Sequence, residues 1–325
     1  MRLPDRLREA IEQETLRTEN AALVRASAQL TERYKDGQFC QSPLNTTAAR
    51  HAYLHVRVPA TYAANRRVLS EIQQHSSGTA YRSMLDLGSG PGTAMWAAAD
   101  VFPSIDRFTL LERDGDLIEI GRRLAFTGEN LAVHQAQWLR QDLSSDLSVE
   151  RHDLVVISYA LSELNESAAA SLVRRAWMLT NNVLAIVEPG TPRNFERVLA
   201  VRAMLIEAGA HLIAPCPHTR SCPMGAAGDW CHFSQRLERT SAHRRIKGGA
   251  LGYEDEKFSY IAASKFPTEV PAARIVRHPG IHSRHVQLDL CTTEGLKTVT
   301  VGKARKDEYR TARRSEWGDV WEPCR

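Results

Sequence analysis

At 325 residues, 43% hydrophobic and 25% charged with a net charge of +4, the chain is too long for one small core and suits a large α/β domain with appendages. No apolar run approaches a bilayer span, and Met1–Glu12 is too charged for a secretory core and too acidic for a transit peptide, which predicts a cytoplasmic protein with no membrane partner. In that compartment cysteines bind metals or act in catalysis more often than they form disulfides.

Residues 1–35 carry helical spacing, with Leu7, Ile11, Leu16, Leu23 and Leu30 recurring between charged residues. A second helical stretch covers 46–76 and continues past Pro59, so 1–78 reads as an N-terminal helical region. From Ser83 short apolar runs alternate with helical segments. Strands are predicted at 84–87, 107–112, 131–134, 154–158 and 183–188, with helices at Thr93–Val101, Asp114–Leu124, Glu166–Leu179 and Arg193–Ala208. This alternation specifies a parallel sheet covered on both faces, a Rossmann-like α/β domain over 79–266. His211–Ala214 and Lys257–Ser264 read as its last two strands, with a cysteine-rich insertion, 214–233, between them. Beyond Pro267, alternating runs at Ala273–Arg277, His285–Leu290 and Leu296–Val301 predict a small β extension with a basic tail, 267–325.

Asp86-Leu87-Gly88-Ser89-Gly90-Pro91-Gly92-Thr93 is a strand followed by a glycine-rich turn that opens a helix. Glycines at alternate positions let the backbone pass close to a ligand where a Cβ would collide. A dinucleotide fingerprint would put its third glycine at residue 93, which is Thr, so the tighter turn suits a nucleoside ligand without a pyrophosphate. The arrangement resembles the class I S-adenosylmethionine-dependent methyltransferases. Glu112 ends the second strand, where a carboxylate accepts hydrogen bonds from both ribose hydroxyls. Asp142 follows the third strand, where that fold offers an acid to the adenine amine. The expected binding set for S-adenosylmethionine is Asp86, Gly88, Ser89, Gly90, Gly92, Glu112, Asp142 and Ser158.

The transfer half is sparser. Base N-methyltransferases of this fold carry Asn/Asp-Pro-Pro-Tyr after the fourth strand, where it grips a flipped-out base. Here that place holds Ser158-Tyr159-Ala160-Leu161-Ser162-Glu163-Leu164, with a tyrosine but neither a carboxamide–proline pair nor a cysteine nucleophile. Tyr159 and Glu163 are the candidates for contact with a methyl acceptor.

Cys216, Cys222 and Cys231 lie in a segment dense in Pro, Gly and polar residues, and Cys291 follows after a long excursion. Thiolates crowded on a loop repel one another and oxidise unless a metal centre holds them. Their spacing is neither that of paired Cys-x-x-Cys knuckles nor that of radical enzymes. Four thiolates on wide, proline-flanked loops suit an iron–sulfur cluster; zinc is the alternative, with His218 or His232 as a competing ligand. Cys40 and Cys324 lack such neighbours and read as ordinary free thiols.

The chain is similar to the methyltransferase-like proteins of the small mitochondrial ribosomal subunit and their bacterial relatives. The resemblance rests on 85–93, 158–164 and 187–192, and continues through Ala214-Pro215-Cys216-Pro217-His218, Cys222-Pro223-Met224, Trp230-Cys231-His232-Phe233 and Leu288-Asp289-Leu290-Cys291. It implies a four-iron cluster, [4Fe-4S], on Cys216, Cys222, Cys231 and Cys291. It also implies a partner, the small ribosomal subunit and its RNA. The free protein is expected to be monomeric. From residue 232 onward there are 18 Lys and Arg against 12 Asp and Glu, so the basic excess sits in the C-terminal part. Lys303, Arg305, Lys306, Arg310, Arg313 and Arg314, with Trp317 and Trp321, are therefore expected to meet RNA phosphates and bases. Two readings of function follow, an RNA methyltransferase or a non-catalytic RNA-binding assembly factor.

Overall fold

The computed structural model describes residues 1–36, 44–76 and 78–322, so Cys40 and Cys324 lie outside the described residues. Three helices lead the chain: α1 (Asp5–Thr15), α2 (Asn20–Asp36) and α3 (Thr47–His75). The α/β part follows as β1 (Ser83–Leu87), α4 (Thr93–Val101), β2 (Arg107–Glu112), α5 (Gly115–Ala125), α6 (Leu131–His134), β3 (Gln137–Arg140) and β4 (His152–Ser158). It continues through α7 (Glu166–Met178), β5 (Thr180–Pro189), α8 (Pro192–Glu207) and β6 (His211–Ala214). Next come α9 (Pro223–Ala226), β7 (Phe233–Glu238), α10 (Ser241–Lys247) and β8 (Tyr253–Ser264). The last elements are β9 (Ala273–Ile275), β10 (Gly280–Ile281), β11 (His285–Thr292), β12 (Gly295–Gly302) and α11 (Lys306–Arg314).

Among the described residues, the main sheet has the order β3-β2-β1-β4-β5-β8-β6, with β7 also paired to β8. The strands from β3 to β5 are parallel, whereas β8 runs antiparallel to β5 and β6. Both faces are buried, as the near-continuous apolar sequences of β1, β4 and β5 require. Met84, Leu110, Val156 and Ala185 face one core, and Leu85, Leu111, Val155 and Ile186 the other. Chain order reverses between β1 and β4, which opens a crevice at their carboxyl ends. This is the expected Rossmann-like sheet with its N-terminal helices and β extension.

α3 extends 29 residues with Pro59 inside it, and the Thr46 hydroxyl caps its start by accepting from the Ala49 amide at 3.1 Å. It packs on α2, α4 and β8, and small residues such as Ala52, Ala60 and Ala64 allow that close approach.

Three expectations are corrected. The predicted third strand, 131–134, is instead the short helix α6, because the Asn130 side chain accepts from the Ala132 amide and starts a turn. The strand proper is β3, whose Trp138 is buried beside Gly92 and Gly121. Between the insertion and β8 there is a further strand, β7, paired with the outer part of β8. Trp317 and Trp321 are buried, not free to meet bases: Trp317 packs edge-on to His232 and Trp321 joins the core of the β extension.

A buried charge network fastens the extension to the helical region. Arg274 on β9 is 1% exposed and its Nη1 lies 2.5 Å from Glu71 Oε2 on α3. The same guanidinium donates to the carbonyls of Pro215 (3.1 Å) and Gly318 (2.8 Å), so it touches the helix, the cysteine segment and the tail together. Arg67 completes the network by pairing with Glu71 and Asp319 at 3.0 and 2.8 Å. Breaking a buried pair leaves an uncompensated charge. Arg274→Met is therefore expected to lower the unfolding free energy by about 3 kcal/mol, and adding Glu71→Leu to recover part of that loss. Urea unfolding of the single and double variants measures both; a single-variant loss under about 0.5 kcal/mol would contradict the role assigned to the pair.

Candidate functional site

The crevice at the switch point is built on the turn after β1. The amides of Gly88 and Ser89 donate to the Leu111 carbonyl at 2.9 and 3.0 Å, which hangs the turn on β2. The Gly90 and Asp114 amides both donate to the Glu112 carboxylate at 2.9 Å, so Glu112 is fixed with its oxygens at the crevice wall. Gly88 has φ +79°, and a Cβ there would stand 2.7 Å from Cβ of Ala160, so only glycine lets the β1 and β4 turns meet.

Seven of the eight expected binding residues, Asp86, Gly88, Ser89, Gly90, Glu112, Asp142 and Ser158, line this one cleft. Gly92 does not. With φ +83° it starts α4, and a Cβ on it would press on Trp138 at 2.9 Å, so the packing there requires glycine. Burial pushes the Asp86 carboxyl up to about 8, with the neighbouring Glu112 adding to the effect. Among the described residues neither Asp86 oxygen makes a hydrogen bond, although the Met95 amide eases its ionisation. Asp142 is exposed at the rim and held below the usual carboxylate range by the hydroxyl and amide of Ser144, at 2.7 and 2.8 Å.

On the acceptor side, Tyr159 sits at the tip of β4 with φ 57°, a left-handed conformation that costs a bulky residue energy. Its amide donates to the Val187 carbonyl at 2.7 Å and its hydroxyl to Glu256 Oε1 at 2.9 Å. Arg57 holds the same carboxylate from the other side at 3.1 and 3.4 Å. Burial first, then Glu256, raises the Tyr159 phenol well above its ordinary value, so it remains a donor. Glu163 pairs with Arg113 at 3.1 Å. The wholly buried Glu188 accepts from the Leu161 and Ser162 amides at 2.8 and 3.2 Å, and so fixes the 158–164 loop.

Cys216, Cys222, Cys231 and Cys291 line a second cavity of about 40 Å³, as does His218. Cys216 follows β6, Cys222 caps α9, Cys231 precedes β7, and Cys291 lies on β11 opposite Arg274 of β9. Burial, reinforced by the neighbouring thiols, raises Cys216 and Cys231 and pushes Cys291 up to about 12. His218 Nε2 is 3.8 Å from Cys291 Sγ. His232 instead stacks on Trp230 and does not face this cavity. Among the described residues no three His, Cys, Asp or Glu side chains are set to hold a single metal ion.

Sequence reasoning missed Arg57, Thr61 and Asn65 of α3, which line the cleft, and Glu256 behind it. Asn65 donates to Ser158 Oγ at 2.8 Å, while its own Oδ1 is buried without a partner among the described residues. An asparagine in the middle of a long helix is a poor helix former, and that was the signal available.

A family model described as "Mitochondrial small ribosomal subunit Rsm22" matches residues 47–322. The human "Ribosome assembly protein METTL17, mitochondrial" is 27% identical over 286 residues, covering 82% of this chain and 61% of that protein. The "Rsm22-cox11 tandem protein 2, mitochondrial" of Schizosaccharomyces pombe is 26% identical over 329 residues, covering 83% of this chain and 42% of that protein. The chain thus spans less than two thirds of the length of these relatives. Among solved structures, magnesium protoporphyrin IX methyltransferase (ChlM) from Synechocystis PCC 6803 with bound SAH has a TM-score of 0.42 at 10% identity, covering 76% of this chain and all of that one. The expectation of a cytoplasmic location is overturned, because the family and both relatives are described as mitochondrial. Composition near Met1 was a poor guide, since a compartment is set by an address and not by the folded domain.

The raised Asp86 carboxyl has a measurable consequence. Its folded value lies above its unfolded one, so the stability it allows is complete at low pH and is lost as pH climbs from about 4 to about 8. Asp86→Asn removes that penalty. Without ligand, the variant is expected to gain on the wild type by about 1 kcal/mol or more between about pH 5 and about pH 8.5 in urea unfolding. A stability difference independent of pH would refute it.

Proposed function

We propose that this chain, which belongs to the mitochondrial small ribosomal subunit Rsm22 family, is an S-adenosylmethionine-binding, methyltransferase-like protein of small-subunit ribosome assembly. The observation that carries the reading is the cleft: a carboxylate fixed by two backbone amides on β2 faces a glycine turn and buried acceptors without partners. Those acceptors, Asp86 and Asn65 Oδ1, match a donor-only ammonium such as the one at the methionyl end of the cofactor. Glu112 would take the two ribose hydroxyls and Asp142 the adenine amine, with Ser158 and the backbone at Gly88, Ser89 and Gly90 lining the path between them. Bound S-adenosylmethionine supplies an electrophilic methyl group. The chain's own residues bind and orient it.

The acceptor side favours assembly over catalysis. The Tyr159 hydroxyl is committed to Glu256 and Glu163 to Arg113, so neither of the two candidates stands ready as a base. The name of the human relative, a ribosome assembly protein, supports the same reading.

The donor set fits a thiolate-held group: four cysteines converge on one cavity from the loops flanking β6, α9 and β7 and from β11. Cys216, Cys222, Cys231 and Cys291 would hold it. Four cysteines on wide, proline-flanked loops around one cavity suit the bulk of an iron–sulfur cluster better than one zinc ion. The exposed bases of α11 and its approach, Lys303, Lys306, Arg310, Arg313 and Arg314, border one open groove suited to RNA phosphates.

Glu112→Ala is expected to weaken S-adenosylmethionine binding about tenfold or more by calorimetry, roughly 1.4 kcal/mol. Unchanged affinity would sink the assignment of the cleft. In a strain lacking the gene, small-subunit maturation should fail and be rescued by Glu112→Ala without any ribosomal RNA methyl group being lost. A missing methyl group, restored only by the unmodified chain, would instead establish the enzyme.

A further inference from the structure

Arg202 of α8 is 6% exposed and turns its guanidinium toward the cysteine segment. Its Nε donates to Cys216 Sγ at 3.3 Å, and its Nη2 donates to the carbonyls of His218 and Arg220 at 2.7 and 2.8 Å. Among the described residues it makes no ion pair with a carboxylate. Two other arginines near the cavity are neutralised, Arg274 by Glu71 and Arg277 by Asp229. A buried cation without a counter-charge is costly, and side chains in this state persist where an anion completes them. The groups facing Arg202 across the cavity are four thiols, and thiols become anionic when they ligate a metal.

We infer that Arg202 is the positioning residue of the cysteine site, neutralising part of the negative charge of a metal–thiolate group and fixing the 216–220 loop around it. This rests on the iron–sulfur reading proposed above. Four thiolates on a four-iron cluster in its usual oxidised state carry two net negative charges, and accepting one electron adds a third. A fixed positive charge and an N–H donor to a ligand sulfur both favour the more negative state, so Arg202 raises the reduction potential. The Nη2 bonds to two loop carbonyls give it a second task, holding Cys216 and the following turn in place before the group is bound.

The test uses the full chain, reconstituted anaerobically with iron and sulfide, and compares it with Arg202→Gln and Arg202→Lys. Iron and acid-labile sulfide are assayed, and the potential is titrated with an added one-electron mediator. Arg202→Gln is expected to shift the reduced-to-oxidised ratio at a given potential about tenfold toward oxidised, equivalent to about 59 mV, while Arg202→Lys keeps most of the wild-type value. Arg202→Gln that folds by circular dichroism but takes up no iron supports the inference equally, provided Arg202→Lys loads. Equal loading and equal potential in all three chains overturns the inference and leaves the cluster reading standing. Failure of both variants to load overturns the charge role, because lysine retains the charge and lacks only the fork. A wild-type chain that takes up neither iron nor sulfide removes the cluster reading, and the inference with it.

Discussion

The contact on which most of the architecture depends is the buried pair between Arg274 and Glu71. The β extension has a small core of its own, and its place against the α/β part is set by what Arg274 can reach. A guanidinium has donors in a fixed fork, so satisfying a carboxylate and two carbonyls at once leaves little freedom of orientation. The strand partner of Arg274 is Cys291, so the fork that seats the extension also brings the fourth cysteine to the other three. Hydrophobic packing alone would not select that register so sharply, because apolar contacts are not directional.

α3 relates this clamp to the cofactor cleft. Arg57, Thr61 and Asn65 line the cleft, and Arg67 and Glu71 belong to the charge network. Asn65 and Glu71 are six residues apart, about 9 Å along a helix axis. One rigid element therefore contributes side chains to both sites, and Pro59 lies between Arg57 and Thr61 on the stretch facing the cleft. The acceptor loop is fixed from two other directions, by Glu188 below it and by Glu256 from β8, an antiparallel strand that reaches the crevice only because it is inserted between β5 and β6.

Much of this was legible in the sequence because it is local. The glycine turn, Glu112 and the alternation of apolar runs are encoded within a few residues of each other, and the fold places them as that pattern implies. The four cysteines were legible as a group by chemistry, since thiols in polar, proline-rich loops have no packing reason to be there. The misses are of two kinds. Leu131–His134 has strand-like composition but follows an asparagine whose side chain supplies a helix cap, so a single hydrogen bond outweighed propensity. Glu256 and Glu71 were invisible because their meaning lies in partners far along the chain: Arg274 and Glu71 are 203 positions apart, and Tyr159 and Glu256 97. Trp317 and Trp321, expected beside RNA because of the charge around them, are buried because the tail folds back on β9.

The strand order carries a kinetic consequence. Among the described residues, β6 is hydrogen-bonded in the sheet only to β8, and 38 residues separate the end of one strand from the start of the other. During synthesis β6 therefore has no edge to join until β8 has emerged, and the intervening segment holding Cys216, Cys222 and Cys231 is looped out meanwhile. Contacts of such long separation form late, after the entropy of loop closure has been met. The three thiols consequently pass through a window in which they are solvent-facing and open to oxidation, and the window closes only when the nascent chain has delivered β8, Arg274 and finally Cys291.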